Sequence, residues 1–135
     1  MLPIRGIDHL VLRICDEQRM LAFYCEVLGC TLEKRQDALG LIQLRAGDAL
    51  IDLVPVEGPL GRRGGPPPDR DGHNLDHFCL RLAPFDEAAI RRHLAAHGVE
   101  VGETKPRYGA EGTGPSLHLQ DPDGNTLELK GPPDA

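Results

Sequence analysis

His9 and His77 stand in two stretches that repeat each other. Ile7-Asp8-His9-Leu10-Val11-Leu12-Arg13-Ile14 returns 68 residues later as Leu75-Asp76-His77-Phe78-Cys79-Leu80-Arg81-Leu82, with Asp, His, Leu and Arg in register. Two acidic residues, 76 positions apart, sit inside apolar runs: Asp52 in Leu50-Ile51-Asp52-Leu53-Val54, and Glu128 in Thr126-Leu127-Glu128-Leu129. A carboxylate in such a run is costly to bury unless it is paired or binds a metal. Two histidines and two carboxylates are a usual complement for Zn, Ni, Mn or Fe. Taken singly, each carboxylate could pair instead with Arg13, Arg81 or Arg45, and each histidine could be an ordinary polar residue at a strand start. The repetition in register favours one shared metal site.

The elements that position these residues follow from the apolar pattern. Alternation reads both repeats as strands, with His9, Val11 and Arg13, or His77, Cys79 and Arg81, on one face. The other face, Leu10, Leu12 and Ile14, or Phe78, Leu80 and Leu82, is apolar and should pack on a helix. Ile51 and Leu53, or Leu127 and Leu129, belong to that helix-packed face, so Asp52 and Glu128 point the same way as the histidines. After a first strand over 4–14, Asp16 can cap a helix with an apolar stripe of Met20, Phe23, Tyr24, Val27 and Leu28, closed by Gly29. Strands are predicted at 31–37, 40–46 and 49–55, turning at Leu39-Gly40 and Ala46-Gly47-Asp48.

Residues 56–74 hold nine Gly or Pro in 19 positions and read as a linker or mobile loop. Asp86 then opens a second helix with Ile90 and Leu94 inward and Gly98 at its end. Strands are predicted at 99–102, 116–121 and 125–130, with Asp121-Pro122-Asp123-Gly124-Asn125 as a turn. The tail from Gly131 to Ala135 reads as loose. The expected fold class is α+β: one domain over 1–135, built from two βαβββ modules (4–55 and 75–130) that form a curved mixed sheet.

Composition narrows the function classes. The chain has 135 residues, no Trp, a net charge of −6, and a core that must be aliphatic. The acidic balance argues against nucleic acid or an anionic membrane as partner. No apolar run approaches the roughly 20 residues that span a bilayer, and no signal-peptide pattern opens the chain, so a cytoplasmic protein is expected. Cys15, Cys25, Cys30 and Cys79 show neither CxxC spacing nor disulfide-scaffold density.

Paired βαβββ modules carrying these residues resemble the vicinal oxygen chelate superfamily, which includes glyoxalase I, fosfomycin-resistance proteins, extradiol dioxygenases and stand-alone glyoxalase domains. The resemblance runs from Ile7 to Leu129. Its clearest marks are Phe23-Tyr24 to Leu28-Gly29 and the run Asp121-Pro122-Asp123-Gly124-Asn125-Thr126-Leu127-Glu128-Leu129. Arg107-Tyr108-Gly109-Ala110-Glu111-Gly112, running on to Ser116, looks most like the stand-alone glyoxalase domains.

The resemblance implies one divalent ion per chain, with His9, His77 and Glu128 as ligands. Asp52 stands where glyoxalase I has a glutamate, as fourth ligand or as a holder of water at the metal. It implies a lyase or isomerase acting on a small oxygen-chelating substrate through a metal-stabilised enediolate, with Asp52 or Glu128 as base. It also implies a homodimer in which sites can be shared between chains.

His118 shares a strand face with Ser116 and Gln120, at a position that is usually a pocket tyrosine in the fosfomycin branch. It could act as an acid or base, or be a partly exposed strand histidine. Arg62, Arg63, Arg107 and Tyr108 could hold an anionic substrate end, and Ser116 fits that branch's loop serine. His93 and His97 lie four apart without a HExxH motif and read as an exposed helix face. His73 reads as solvated. The rival functions are fosfomycin modification, ring-cleaving dioxygenation and metal-free binding of the bleomycin-resistance type.

Overall fold

Each module folds as a four-stranded sheet whose outer strand, the one bearing the histidine repeat, runs parallel to the strand bearing the carboxylate. The computed structural model describes residues 1–133. Contacts divide the chain into two compact units, one over Met1–Asn74 and one beginning at Leu75.

The first unit contains β1 (His9–Ile14), α1 (Glu17–Leu21), a π-helical segment (Ala22–Val27), β2 (Thr31–Gln36), β3 (Leu41–Ala46) and β4 (Ala49–Pro55). Its sheet order is β1-β4-β3-β2, with β1 parallel to β4 and the other pairs antiparallel. Leu12, Ile14, Met20, Tyr24, Leu44, Ile51 and Leu53 are fully or almost fully buried. Each such side chain contributes about 1.5–3 kcal/mol relative to exposure.

Asp16 caps α1 by accepting from the Arg19 N–H at 3.0 Å. The continuation is π-helical, with the Leu28 N–H reaching the Phe23 carbonyl, five residues back. That wider turn differs from the plain α-helix the apolar stripe predicts. Gly29 ends it at φ +85°, a conformation that side chains disfavour.

The first strand begins at His9 rather than residue 4, and residues 1–8 are exposed. The stretch 56–74 is also more ordered than its composition predicts. It contains a 3₁₀ turn, Gly61–Gly64. Arg13 NH2 donates to the carbonyls of Gly61 at 3.0 Å and Gly65 at 2.9 Å, and its NH1 donates to that of Pro66 at 2.8 Å. Asn74 bonds both the N–H and the C=O of Arg13.

The second unit contains β5 (Phe78–Arg81), α2 (Glu87–Ala96), β6 (Lys105–Gly109), β7 (Gly112–Gln120) and β8 (Thr126–Lys130), in the order β5-β8-β7-β6. Leu117, Leu119, Leu127, Leu129 and Phe78 form its buried apolar face, and Leu94 of α2 is buried as well. Asp86 caps α2 by accepting from the Ala89 N–H at 3.1 Å.

Of the predicted strand 99–102, one bridge remains, Val101 to Leu119. The module's second strand is instead Lys105–Gly109, hairpinned onto a β7 that starts at Gly112. Pro106, Gly109, Gly114 and Pro115 hide this hairpin from pattern reading. Pro106 lies opposite Pro115, so the two strand-breaking residues fall at one level of the ladder. The tail is held at its start: the Gly131 N–H donates to the Pro115 carbonyl at 2.8 Å. Its last two residues, Asp134 and Ala135, lie outside the described residues.

Candidate metal centre

The second module brings three predicted residues together. His118 on β7 lies directly opposite Glu128 on β8, and Cys79 on β5 lies opposite Glu128 on the other side. His77 sits one residue before β5. One ligand atom from each of His77, His118 and Glu128 lies within 4.8 Å of the others. Donors about 2.1 Å from a common ion stand at most about 4.2 Å apart, so small rotamer shifts close this group around a divalent cation. The donor set therefore fits the implied metal. His77 Nε2 is 3.7 Å from Glu128 Oε2, and the His77 and His118 rings meet edge to face at 5.5 Å between centroids.

Local hydrogen bonds prepare these donors. His77 Nδ1 bonds the Asp76 carboxylate, which leaves Nε2 to face Glu128. Such a carboxylate fixes the ring's tautomer and orientation in metal sites. Glu128 is 8 % exposed and accepts from the Ser116 hydroxyl at 2.7 Å. Burial alone would raise its carboxyl. The Ser116 hydroxyl, the Cys79 thiol and the His118 and His77 charges outweigh burial and hold it below the usual carboxylate value. The Cys79 thiol shows the converse: burial of the sulfur first, then the Glu128 charge, push it up to about 11.

The first module repeats the arrangement with other residues. His9 Nδ1 bonds Asp8 at 2.8 Å, and this bond first, then the Asp52 charge, raises the His9 pKa. Asp52 lies opposite Val11 on β1, as Glu128 lies opposite Cys79 on β5. Gln43 takes the place across the sheet that His118 holds in the second module. Asp52 is 3 % exposed, and its hydrogen bonds among the described residues come from the Gln43 amide, at 3.4 Å to each oxygen. Those are long contacts for a buried carboxylate.

The remaining predicted residues are exposed or otherwise engaged. Arg62 and Arg63 are exposed on the 3₁₀ turn, and Tyr108 is exposed on β6. Arg107 lies on β6 rather than on a loop, with its NH1 bonded to the Ser116 carbonyl at 2.8 Å and hydroxyl at 2.7 Å. Ser116 is fully buried between Arg107 and Glu128. The His93 and His97 rings meet tilted at 60°, 4.8 Å between centroids, on exposed positions of α2 and its cap, and His73 is exposed. Pattern reading gave no role to Asp8 or Asp76. Their signal was present in the repeat itself, where each histidine follows an aspartate.

Known proteins carry the same architecture. The curated relatives include catechol-2,3-dioxygenase of Bacillus subtilis, 31% identical over 124 residues, covering 91% of this chain and 40% of that protein. The glutathione transferase FosA of Serratia marcescens is 29% identical over 126 residues, covering 93% of this chain and 80% of that protein. This chain thus spans two-fifths of the dioxygenase and most of FosA. Among solved structures, the virulence protein STM3117 of Salmonella typhimurium superposes with a TM-score of 0.81 at 25% identity, covering 98% of this chain and 100% of that one. The family pattern described as glyoxalase/bleomycin resistance protein/dioxygenase superfamily matches residues 6–129, and with the two βαβββ sheets and their histidine–carboxylate pairs this chain belongs to that superfamily.

Proposed function

We propose that this chain is a divalent-metal enzyme of glyoxalase type, a lyase or isomerase acting on a small substrate with two neighbouring oxygens. The observation that carries the proposal is the convergence of His77, His118 and Glu128, with Glu128 held ionised. His77, His118 and Glu128 hold the ion, His118 as a ligand and not only an acid or base. His9 and Asp52 of a first module complete the site. When bound, the ion supplies Lewis-acid stabilisation of negative charge on the substrate oxygens.

The protein's own groups do the rest. Asp76 fixes the His77 ring. Asp52, buried and short of donors, takes a proton from the carbon beside a substrate carbonyl and returns it to the neighbouring carbon. Arg62, Arg63 and Tyr108 are exposed and suited to an anionic substrate end.

A second reading has a specific observation in its favour. Two histidines and one carboxylate in one sheet form the set used by non-haem iron oxygenases, and the likeness to catechol-2,3-dioxygenase points the same way. Turnover of α-hydroxycarbonyl and hemithioacetal substrates in D₂O, by the wild type and Asp52→Asn, separates the two. The glyoxalase reading predicts solvent deuterium in the product and its loss in Asp52→Asn with metal retained. Equal turnover in the variant, or oxygen uptake with catechols, contradicts it.

A further inference from the structure

We infer that Arg107 is a positioning residue for the metal centre, acting through Ser116 to hold Glu128 so that one oxygen, Oε2, is presented as a ligand. The inference rests on the metal-enzyme reading above and extends it to residues outside the ligand set.

Donor chemistry fixes the direction of the chain of bonds. A guanidinium can only donate, and an ionised carboxylate can only accept. Arg107 NH1 donates to Ser116 Oγ at 2.7 Å, and Ser116 Oγ stands 2.7 Å from Glu128 Oε1. The single hydroxyl proton must therefore point to Glu128. The second bond of NH1, to the Ser116 carbonyl at 2.8 Å, pins the guanidinium to the backbone of the same residue. Arg107 pairs across the hairpin with Gly114, two residues before Ser116 on the same face of β7.

The effect on Glu128 is directional. Oε1 is engaged by Ser116, and Oε2 is the oxygen 3.7 Å from His77 Nε2. The carboxylate is thereby set to give one oxygen to an ion rather than both. Ser116 is fully buried and Glu128 is 8 % exposed, so water cannot easily replace the missing donor if the chain of bonds is cut. Arg107 is only half-buried on its hairpin, which makes it the safer position to change.

The test is Zn²⁺ affinity, read by competition with a chelator, in wild type, Ser116→Ala, Arg107→Ala, Arg107→Lys and the Ala–Ala double variant. Each alanine variant is expected to weaken Zn²⁺ about 10–100-fold. The double variant is expected to match Ser116→Ala to within about twofold, because Arg107 acts through Ser116. Arg107→Lys, which keeps one donor, should fall between wild type and Arg107→Ala. Single variants with wild-type affinity would overturn the inference, as would a double variant that loses the product of both effects. If Ser116→Ala does not fold, the two Arg107 variants still decide between loss and retention. Wild-type protein that binds no Zn²⁺ or other divalent ion would overturn the metal reading itself.

Discussion

Arg13 lies flat against Gly64: a Cβ added at residue 64 would sit 2.4 Å from Arg13 Nε and 2.6 Å from its Cζ. The guanidinium is thus held between a bare backbone and three carbonyls, those of Gly61, Gly65 and Pro66. An arginine on β1 in this way orders a stretch whose composition reads as a linker.

Gly64→Ala should displace Arg13 and loosen 56–74, with a loss of about 1–3 kcal/mol. Arg13→Ala should loosen the same stretch by removing its donors. Limited proteolysis read by mass spectrometry would check both, with new cuts expected at Arg62, Arg63 or Arg70. Unchanged cleavage in both variants would show that Arg13 does not hold the segment.

A second clamp gives a pH prediction. Thr104 Oγ1 donates to Glu87 Oε1 at 2.7 Å and Arg91 Nε donates to the same oxygen at 3.0 Å, tying α2 to the segment before β6. The Thr104 hydroxyl first, then Arg91, hold the Glu87 carboxyl below its usual 4.5. A carboxyl depressed on folding contributes stability above its unfolded pKa and loses it as pH falls through the folded value. The gap in Tm between wild type and Glu87→Gln should therefore be present at pH 7 and close progressively below pH 4.5. A gap that stays constant to pH 3 would contradict the assignment.

Much of the fold was legible because its signals are local. The strands over 31–55 are delimited by glycine turns, and Gly40 and Gly47 both adopt positive φ. The β6–β7 hairpin was not legible. Lys105-Pro106 and Gly112-Thr113-Gly114-Pro115 carry breakers that only pairing across the hairpin reconciles. The π-helical segment was hidden because Phe23, Tyr24, Val27 and Leu28 satisfy an α-helical stripe equally well. At the candidate site, the repeat singled out His77, and the carboxylate inside an apolar run singled out Glu128. The grouping of His118 with them depends on its cross-strand register with Glu128, which the sequence alone does not determine.

A homodimer with shared sites, as the family resemblance implies, makes its own prediction. If His9 and Asp52 of one chain serve His77 and Glu128 of another, His9→Ala and Glu128→Ala chains, each inactive alone, should complement after subunit exchange. One site of each heterodimer would carry both lesions and the other none. Random mixing of independent sites would then restore about a quarter of wild-type activity. Verified heterodimers that stay inactive would place all ligands of a site on one chain.

The most direct test of the central claim is the metal content of purified protein after loading with a single divalent metal and removal of loose ions. Elemental analysis should give one ion per chain for wild type and the loss of most of it in His77→Ala and in Glu128→Ala, since each leaves the set of ligands incomplete. Full occupancy in the His77→Ala protein would contradict the account.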